Sequence, residues 1–372
     1  MEENTSTEIN VDAKLTPMLR QYLEIKKKYS TELLFFRLGD FYEMFFDDAK
    51  KASSVLDIAL TRRQADVPMC GIPYHAAENY IVRLVKAGFN VAICEQLEQT
   101  PSNGSIVKRD VIRVITPGTV IESNLLSSDE HNFLSSVILS ASRCVISSID
   151  ITTGDFFISV GSGTVHFFRG EISRISPKEV LLYSCQEIED IESYKLFLEN
   201  REIPLSRMNE WLYDKEYLEN TIKDTFGLVT VKGIGLDSDV EMIAAGSILE
   251  YIRETQKRTL DHIKLPKRLE KKKFMFLDDA TISHLEIIHN QQDGSKQRTL
   301  YSVLNYAKTA MGKRALERNV LEPLLDRNDI EKRLDIVQAF YDDSLTLESM
   351  AESLSEIQDI ERIISRISMG KI

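Results

Sequence analysis

The stretch Arg37-Leu-Gly-Asp-Phe-Tyr-Glu-Met-Phe-Phe-Asp-Asp-Ala sets an aromatic residue, Phe41, two positions before a carboxylate, Glu43, directly after a Gly-Asp pair. Two readings of these residues are open. In the first, Asp40 is the N-cap of a helix over residues 41–56, Glu43 three residues on closes a capping box, and Phe41, Phe45 and Phe46 line a core. In the second, the Phe41 ring wedges into a base step while Glu43 accepts a hydrogen bond from a base edge. A carboxylate close to a phosphate backbone is repelled. Glu43 would therefore lower general affinity for nucleic acid and makes sense there only as a discriminator between bases.

Basic residues that could meet phosphate lie nearby in sequence. Arg62 and Arg63 fall in an expected loop that continues into Gln64, and Lys108, Arg109 and Arg113 form a second group. Short basic pairs are as well explained by a solvated surface. Residues 257–273 are dense in Lys and Arg but diluted by Asp261 and Glu270, which suits a DNA-facing stripe or an inter-domain linker equally.

Other chemistries find little support. Gly312-Lys313 and Gly370-Lys371 lack the earlier glycine of a phosphate-binding loop, since Ala307 and Ser365 stand there, and no Ser or Thr follows. The six histidines are dispersed, and His284 and His289 are spaced poorly for one helical face. Asp150, at the end of an expected strand, resembles the first carboxylate of a nuclease metal site, but no companion acids are evident, and a turn-capping aspartate before Thr152-Thr-Gly is the simpler account. No catalytic residue, metal site or cofactor is assigned to the chain. Cys70, Cys94, Cys144 and Cys185 stand apart with no C-x-x-C, as buried thiols of a reducing compartment would.

The elements that must position these residues follow from periodicity. With 372 residues, 43% hydrophobic and 28% charged, the chain has the composition of a globular protein of two or three domains. Its net charge of −12 excludes a bulk polycation, so any DNA contact must be local. No apolar run is long enough to span a membrane and the acidic N-terminus is unlike a secretory signal, so a cytoplasmic protein is expected. After a patternless tail over 1–14, helices alternate with short strands to about residue 125, predicting a mixed-sheet α/β domain over 15–125. Apolar β-type runs at 133–139, 145–150 and 155–160, then helical stretches, predict a second α/β domain over 126–250. From 251 to 372 the pattern is all-helical, with helices expected at 285–289, 301–308, 310–321, 329–340 and 344–368. It stops within a helical pattern, as a domain cut short would.

Five segments now acquire a common meaning: Leu15-Thr-Pro-Met-Leu-Arg-Gln-Tyr, Leu38-Gly-Asp-Phe-Tyr-Glu-Met-Phe, Met69-Cys-Gly-Ile-Pro-Tyr-His-Ala, Val91-Ala-Ile-Cys-Glu-Gln and Arg113-Val-Ile-Thr-Pro-Gly-Thr. Together they resemble the N-terminal region of the MutS family of DNA mismatch-repair proteins. The likeness continues through Asp150-Ile-Thr-Thr-Gly-Asp-Phe, Phe276-Leu-Asp-Asp-Ala-Thr, Leu300–Arg314 and Asp359-Ile-Glu-Arg-Ile-Ile-Ser-Arg-Ile. The resemblance implies a mismatch-binding domain, a ribonuclease-H-like connector that is not a nuclease, and the start of an all-α core. It implies that Phe41 stacks on a mispaired base from the minor groove and that Glu43 hydrogen-bonds to that base. It further implies mismatched double-stranded DNA as ligand, a MutL-like protein docking on the connector, possible pairing with another MutS-like chain, and nucleoid association when DNA is bound. The family's ATP and Mg belong to a C-terminal ATPase domain that, with the clamp, is absent from these residues, so the chain is not expected to be an enzyme.

Departures from the family's pattern are Gln99-Thr100-Pro101, where Asp-Pro is usual, a short loop after Arg63, and Asn305 and Asn319, where Asp and Trp are common. The rival expectation is an interaction module that binds a MutL-like partner without useful DNA affinity.

Overall fold

The structure is a computed structural model and describes residues 16–63, 67–98, 107–122, 126–140, 142–184, 191–206, 208, 213–270 and 273–370. The tail over 1–14, the loop at Gln64, the Gln99-Thr100-Pro101 departure and Cys185 lie outside the described residues. The chain divides into two compact units, residues up to 117 with 255–257, and residues 118–254 with 258–372. The expected connector and helical domains thus share one unit.

In the first unit Thr16 caps α1 (Pro17–Lys28), its hydroxyl accepting from the Leu19 N–H, with Pro17 at the first position where its missing donor costs nothing. β1 (Leu33–Leu38) and β2 (Phe41–Phe45) follow, then α2 (Phe46–Leu56), β3 (Thr61–Arg63), β4 (Val67–Pro73), α3 (Ala77–Lys86), β5 (Val91–Gln96) and β6 (Arg109–Ile115). The sheet runs β3-β4-β2-β1-β5-β6, with β1 and β5 parallel and the other neighbours antiparallel, the mixed sheet that was expected. β1 lies inside it, and Leu33, Leu34, Phe35 and Phe36 are all buried because both faces of that strand are covered.

The expected helix over 41–56 is corrected: Phe41–Phe45 is a strand, and the helix begins only at Phe46. Leu38 pairs with Phe41, so Gly39-Asp40 is a two-residue hairpin turn, with Gly39 at φ +57° where a side chain would be strained. Asp40 is therefore a turn residue, and no capping box forms; the N-cap position falls on Phe45, without a side-chain cap. Period-2 alternation of aromatic residues, paired on both sides, overrides the capping signal.

One buried carboxylate ties these elements together. Asp48, 4% exposed, accepts on Oδ2 from the Tyr22 hydroxyl at 2.9 Å and the Leu34 N–H at 3.1 Å, while Lys26 Nζ lies 2.9 Å from Oδ1. Burial, with the Asp48 charge beside it, pushes the Tyr22 phenol far above its ordinary range, so it stays a donor. Tyr22 also meets the Phe45 ring edge-on at 5.0 Å.

The second unit opens with an antiparallel meander, β7 (Phe133–Leu139), β8 (Arg143–Asp150) and β9 (Asp155–Ser162), then α4 (Val165–Ile175), β10 (Glu179–Ser184), α5 (Ile191–Asn200), β11 (Leu205–Ser206), α6 (Lys215–Phe226) and α7 (Asp239–Gln256). β10 adds parallel to β7 and β11 parallel to β10, while β12 (Lys267–Arg268) adds to β9. This is the ribonuclease-H-like arrangement the resemblance implied. One sheet face buries Val137, Ile146 and Val180 with Phe168 and Ile172 of α4 and Leu198 of α5; the other buries Leu134, Ile149 and Ile158 with Ile222 of α6 and Ile248 and Ile252 of α7. Gly154 is obligatory in the β8–β9 turn: φ is +72°, and a Cβ would stand 2.3 Å from the His262 carbonyl oxygen.

The helical segment comprises α8 (Asp279–His284), α9 (Leu300–Leu304), α10 (Ala310–Leu321), α11 (Arg327–Asp342), α12 (Ser344–Ser355) and α13 (Ile360–Ser368). Three expectations are corrected. Residues 285–289 are a turn following α8, the helix expected at 301–308 ends at Leu304, and 344–368 is broken before Asp359, whose side chain caps α13 by accepting from Arg362 N–H. The segment joins the ribonuclease-H-like sheet through charge. Arg314, 2% exposed, donates to both Asp359 oxygens at 2.7 and 2.9 Å, to Glu361 at 2.7 Å and to the Ser128 carbonyl at 2.9 Å, and the partly buried Arg174 of α4 pairs with Glu322. Among the described residues no helix is long and apolar enough to cross a membrane.

Replacing Asp48 with Ala leaves the Tyr22 hydroxyl only the 3.4 Å Phe45 carbonyl and removes the acceptor of the Leu34 N–H, and should cost about 2–4 kcal/mol in urea unfolding, against about 1 kcal/mol for Tyr22→Phe.

Candidate nucleic-acid interface

Alternation along β2 sorts its side chains. Phe41, Glu43 and Phe45 share one face with Leu34, Phe36, Met69 and Gly71, the face on which α1 packs through Leu19, Tyr22 and Ile25. Tyr42 and Met44 take the other face, where Cys70 Sγ donates to the Ala49 carbonyl of α2 at 3.4 Å. Phe45 is fully buried under Tyr22, whereas Phe41 at the hairpin end is 47% exposed. Phe41 as a core residue is thus corrected, while Phe45 is core as expected. Glu43 pairs in register with Gly71, where an added Cβ would meet the Glu43 Cγ at 3.5 Å, ordinary contact.

The basic candidates separate. Arg62 and Arg63 are not in a loop but on β3, paired with Pro68 and Val67 of β4, so alternation sends them to opposite faces of the sheet. Arg63 lies on the face of Phe41 and Glu43. Its guanidinium crosses β4 above Met69, whose Sδ is 3.9 Å from Nη1, and forms an ion pair with Glu43. The Glu43 side chain is 16% exposed and that of Arg63 41%. Lys108 is exposed.

Arg109 is corrected as a surface contact, because it is 8% exposed and engaged within the unit: Nε donates to the Arg37 carbonyl at 2.8 Å, Nη1 to Gln21 Oε1 at 3.1 Å and to the Val107 carbonyl at 3.0 Å, and the guanidinium lies 5.0 Å above the Phe36 ring. Arg113 is likewise buried, with Nε donating to Gln256 Oε1 at 2.8 Å. Both pin β6 rather than face a ligand. Sequence reasoning passed over Arg37, whose guanidinium stacks 3.6 Å over the half-exposed Tyr74 ring beside the hairpin and lies 3.5 Å from Glu95. It also missed the Arg63–Glu43 pair, twenty residues apart with no spacing rule to announce it.

Asp150 is the turn-capping residue of the simpler account. It is fully buried; Oδ1 accepts from Thr152 N–H at 2.9 Å and its hydroxyl at 2.6 Å, and Oδ2 from Asn132 N–H at 3.1 Å with His131 Nδ1 at 3.0 Å. Burial alone would raise its pKa, but His131, Thr152 and the Asn132 N–H outweigh that and hold it well below the carboxylate range. Among the described residues no three His, Cys, Asp or Glu side chains gather as a metal site. The Cys70, Cys94 and Cys144 thiols are buried outside disulfides, and burial raises the first two to about 11 and about 12, which leaves them inert.

Comparison with known proteins agrees with this architecture. Residues 16–124 match the model of MutS domain I, 132–264 that of MutS domain II and 280–372 that of MutS domain III. The chain is similar to the DNA mismatch repair protein MutS of Ehrlichia chaffeensis, 39% identical over 98% of this chain and 45% of that protein. It is likewise similar to the proteins of that name from Treponema denticola, at 42% identity over 96% of this chain and 41% of the relative, and Alkaliphilus oremlandii, at 41% over 96% and 42%. Three domain models in order, on a mixed sheet and a ribonuclease-H-like sheet with helices after it, define a multidomain chain with the domain order of MutS. The chain belongs to the MutS family. It spans less than half the length of these relatives.

Asp150→Asn tests the capping role. Because the folded pKa lies below the unfolded value, the carboxylate stabilises the fold above about pH 4 and loses that contribution as pH falls through the folded value. The variant should be about 2–4 kcal/mol less stable at pH 7, a gap that narrows in urea titrations stepped below pH 4.

Proposed function

We propose that the first unit recognises mispaired or unpaired bases in duplex DNA, with Phe41 as the stacking wedge and Glu43 as the base-contacting carboxylate. The observation that carries this reading is the exposure of Phe41. It ends a strand whose neighbouring aromatic residues are buried, on a turn held by pairing on both sides, and about half of its surface stays open to solvent. A half-exposed ring at the hairpin end of an interior strand is already ordered and costs little entropy to insert. A mispair is weakly stacked and its step bends cheaply, so the wedge is better repaid there than at a Watson–Crick pair. Arg62 and Lys108 are exposed cations that could meet phosphate.

In the same reading the mismatch-binding part occupies 15–125, the connector 126–250 and the helical core 251–372, with the connector as the surface for a MutL-like protein. No step assigned to Phe41 or Glu43 requires a nucleotide, and no phosphate-binding loop lies within these 372 residues.

Fluorescence anisotropy with a short duplex carrying one G·T mispair or one unpaired T, against the paired control, tests the proposal. Phe41→Ala should remove the preference by about 1–3 kcal/mol, the contribution of one base–aromatic stack, with paired-duplex affinity little changed. Equal binding of all three duplexes by the unaltered chain would defeat it.

A further inference from the structure

Glu43 does not wait as a bare carboxylate. It is held in an ion pair by Arg63, which reaches across β4 from the edge strand β3 over the thioether of Met69 and the side-chain-free Gly71. Arg63 is the cation that β3 sends to the face of Phe41 and Glu43, since Arg62 alternates to the other side. Both partners of the pair keep contact with solvent, so it can be broken without leaving a buried charge stranded.

We infer that Arg63 and Glu43 form an exchange latch, an inference that rests on the proposed reading of mispairs. While the latch is closed, the two charges cancel: Glu43 does not repel the phosphates of a paired duplex, and Arg63 does not attract them. A mispaired base offers Glu43 a competing hydrogen-bond donor. When Glu43 turns to the base, the Arg63 guanidinium loses its partner and is free to take a phosphate. The base contact and the backbone grip are thereby coupled, and the second is released only where the first is made. Arg63 is a positioning residue for Glu43 in the free protein and a phosphate ligand in the mispair complex alone.

Salt dependence reads this directly, because each phosphate neutralised by a cation steepens the fall of log K with log salt by about 0.9 on B-DNA. Anisotropy titrations of the full chain at stepped salt, on the G·T duplex and on the paired duplex, should show a slope steeper by about one for the mispaired duplex. In Arg63→Met, which keeps the aliphatic reach over Met69, the two slopes should coincide at the paired value. In Glu43→Ala, Arg63 is always free, so the slopes should coincide at the steeper value and the paired duplex should bind about fivefold tighter at low salt. Thermal melting should show all three chains folded at the temperature of the titrations.

If Arg63→Met lowers both slopes equally, Arg63 is an ordinary phosphate contact and the latch is wrong. If a slope difference persists in Arg63→Met, the extra phosphate contact belongs to another cation and the latch is again wrong. Equal affinity of the unaltered chain for the two duplexes overturns the mispair reading itself, and the latch with it.

Discussion

The carboxylate of Asp48 is where α1, β1 and α2 meet. A charge this deeply buried is tolerated only because the Tyr22 hydroxyl, the Leu34 N–H and Lys26 satisfy it together. The consequence reaches the hairpin. Tyr22, held by Asp48, covers Phe45, and with Phe45 seated the strand β2 has one register and one way up. A one-residue slip would bury Glu43 and expose Met44 and Tyr42. The exposed ring of Phe41 and the carboxylate of Glu43 are thus set by a core interaction several residues away, which makes the interface rigid before any ligand arrives.

The second unit uses the same device. Asp150 sits at a position in the ribonuclease-H-like sheet where a nuclease would want a metal-binding acid, yet its four hydrogen bonds, from His131, Asn132 and Thr152, leave it no acceptor capacity to spare and fasten the β8–β9 turn instead. Nearby, the buried Arg314 and the partly buried Arg174 are neutralised by Asp359, Glu361, Glu171 and Glu322. These pairs join the helical segment to the sheet, which accounts for one compact unit where periodicity alone suggested two domains. By contrast α11 and α12 bury no side chain among the described residues, and their apolar positions, Leu334, Val337 and Tyr341 among them, face outward.

Most elements were legible in the sequence because their patterns are local: the Thr16-Pro17 start of α1, the Val91–Cys94 strand, the Thr152-Thr-Gly turn. The strand at Phe41–Phe45 was not, because Asp40 and Glu43 imitate a capping box and only tertiary pairing on both sides tells the two apart. Candidate site residues were recognisable by type, but their sorting was not. Whether Arg109 faces DNA or the Phe36 ring, and whether Arg62 and Arg63 share a face with Phe41, depends on strand register between segments distant in sequence. Phe41 and Glu43 could be named from the motif, whereas the partner of Glu43 required the order β3-β4-β2.

The central claim is that Phe41 enters the base stack at a mispair. Its most direct test is a duplex with 2-aminopurine placed beside a G·T mispair, whose emission rises when the fluorophore is unstacked. Saturating this chain on that duplex should raise the emission, with Phe41→Ala at equal saturation giving none of the increase and the paired control staying dark. An equal rise with Phe41→Ala, or none with the unaltered chain bound to the mispair, would contradict the wedge.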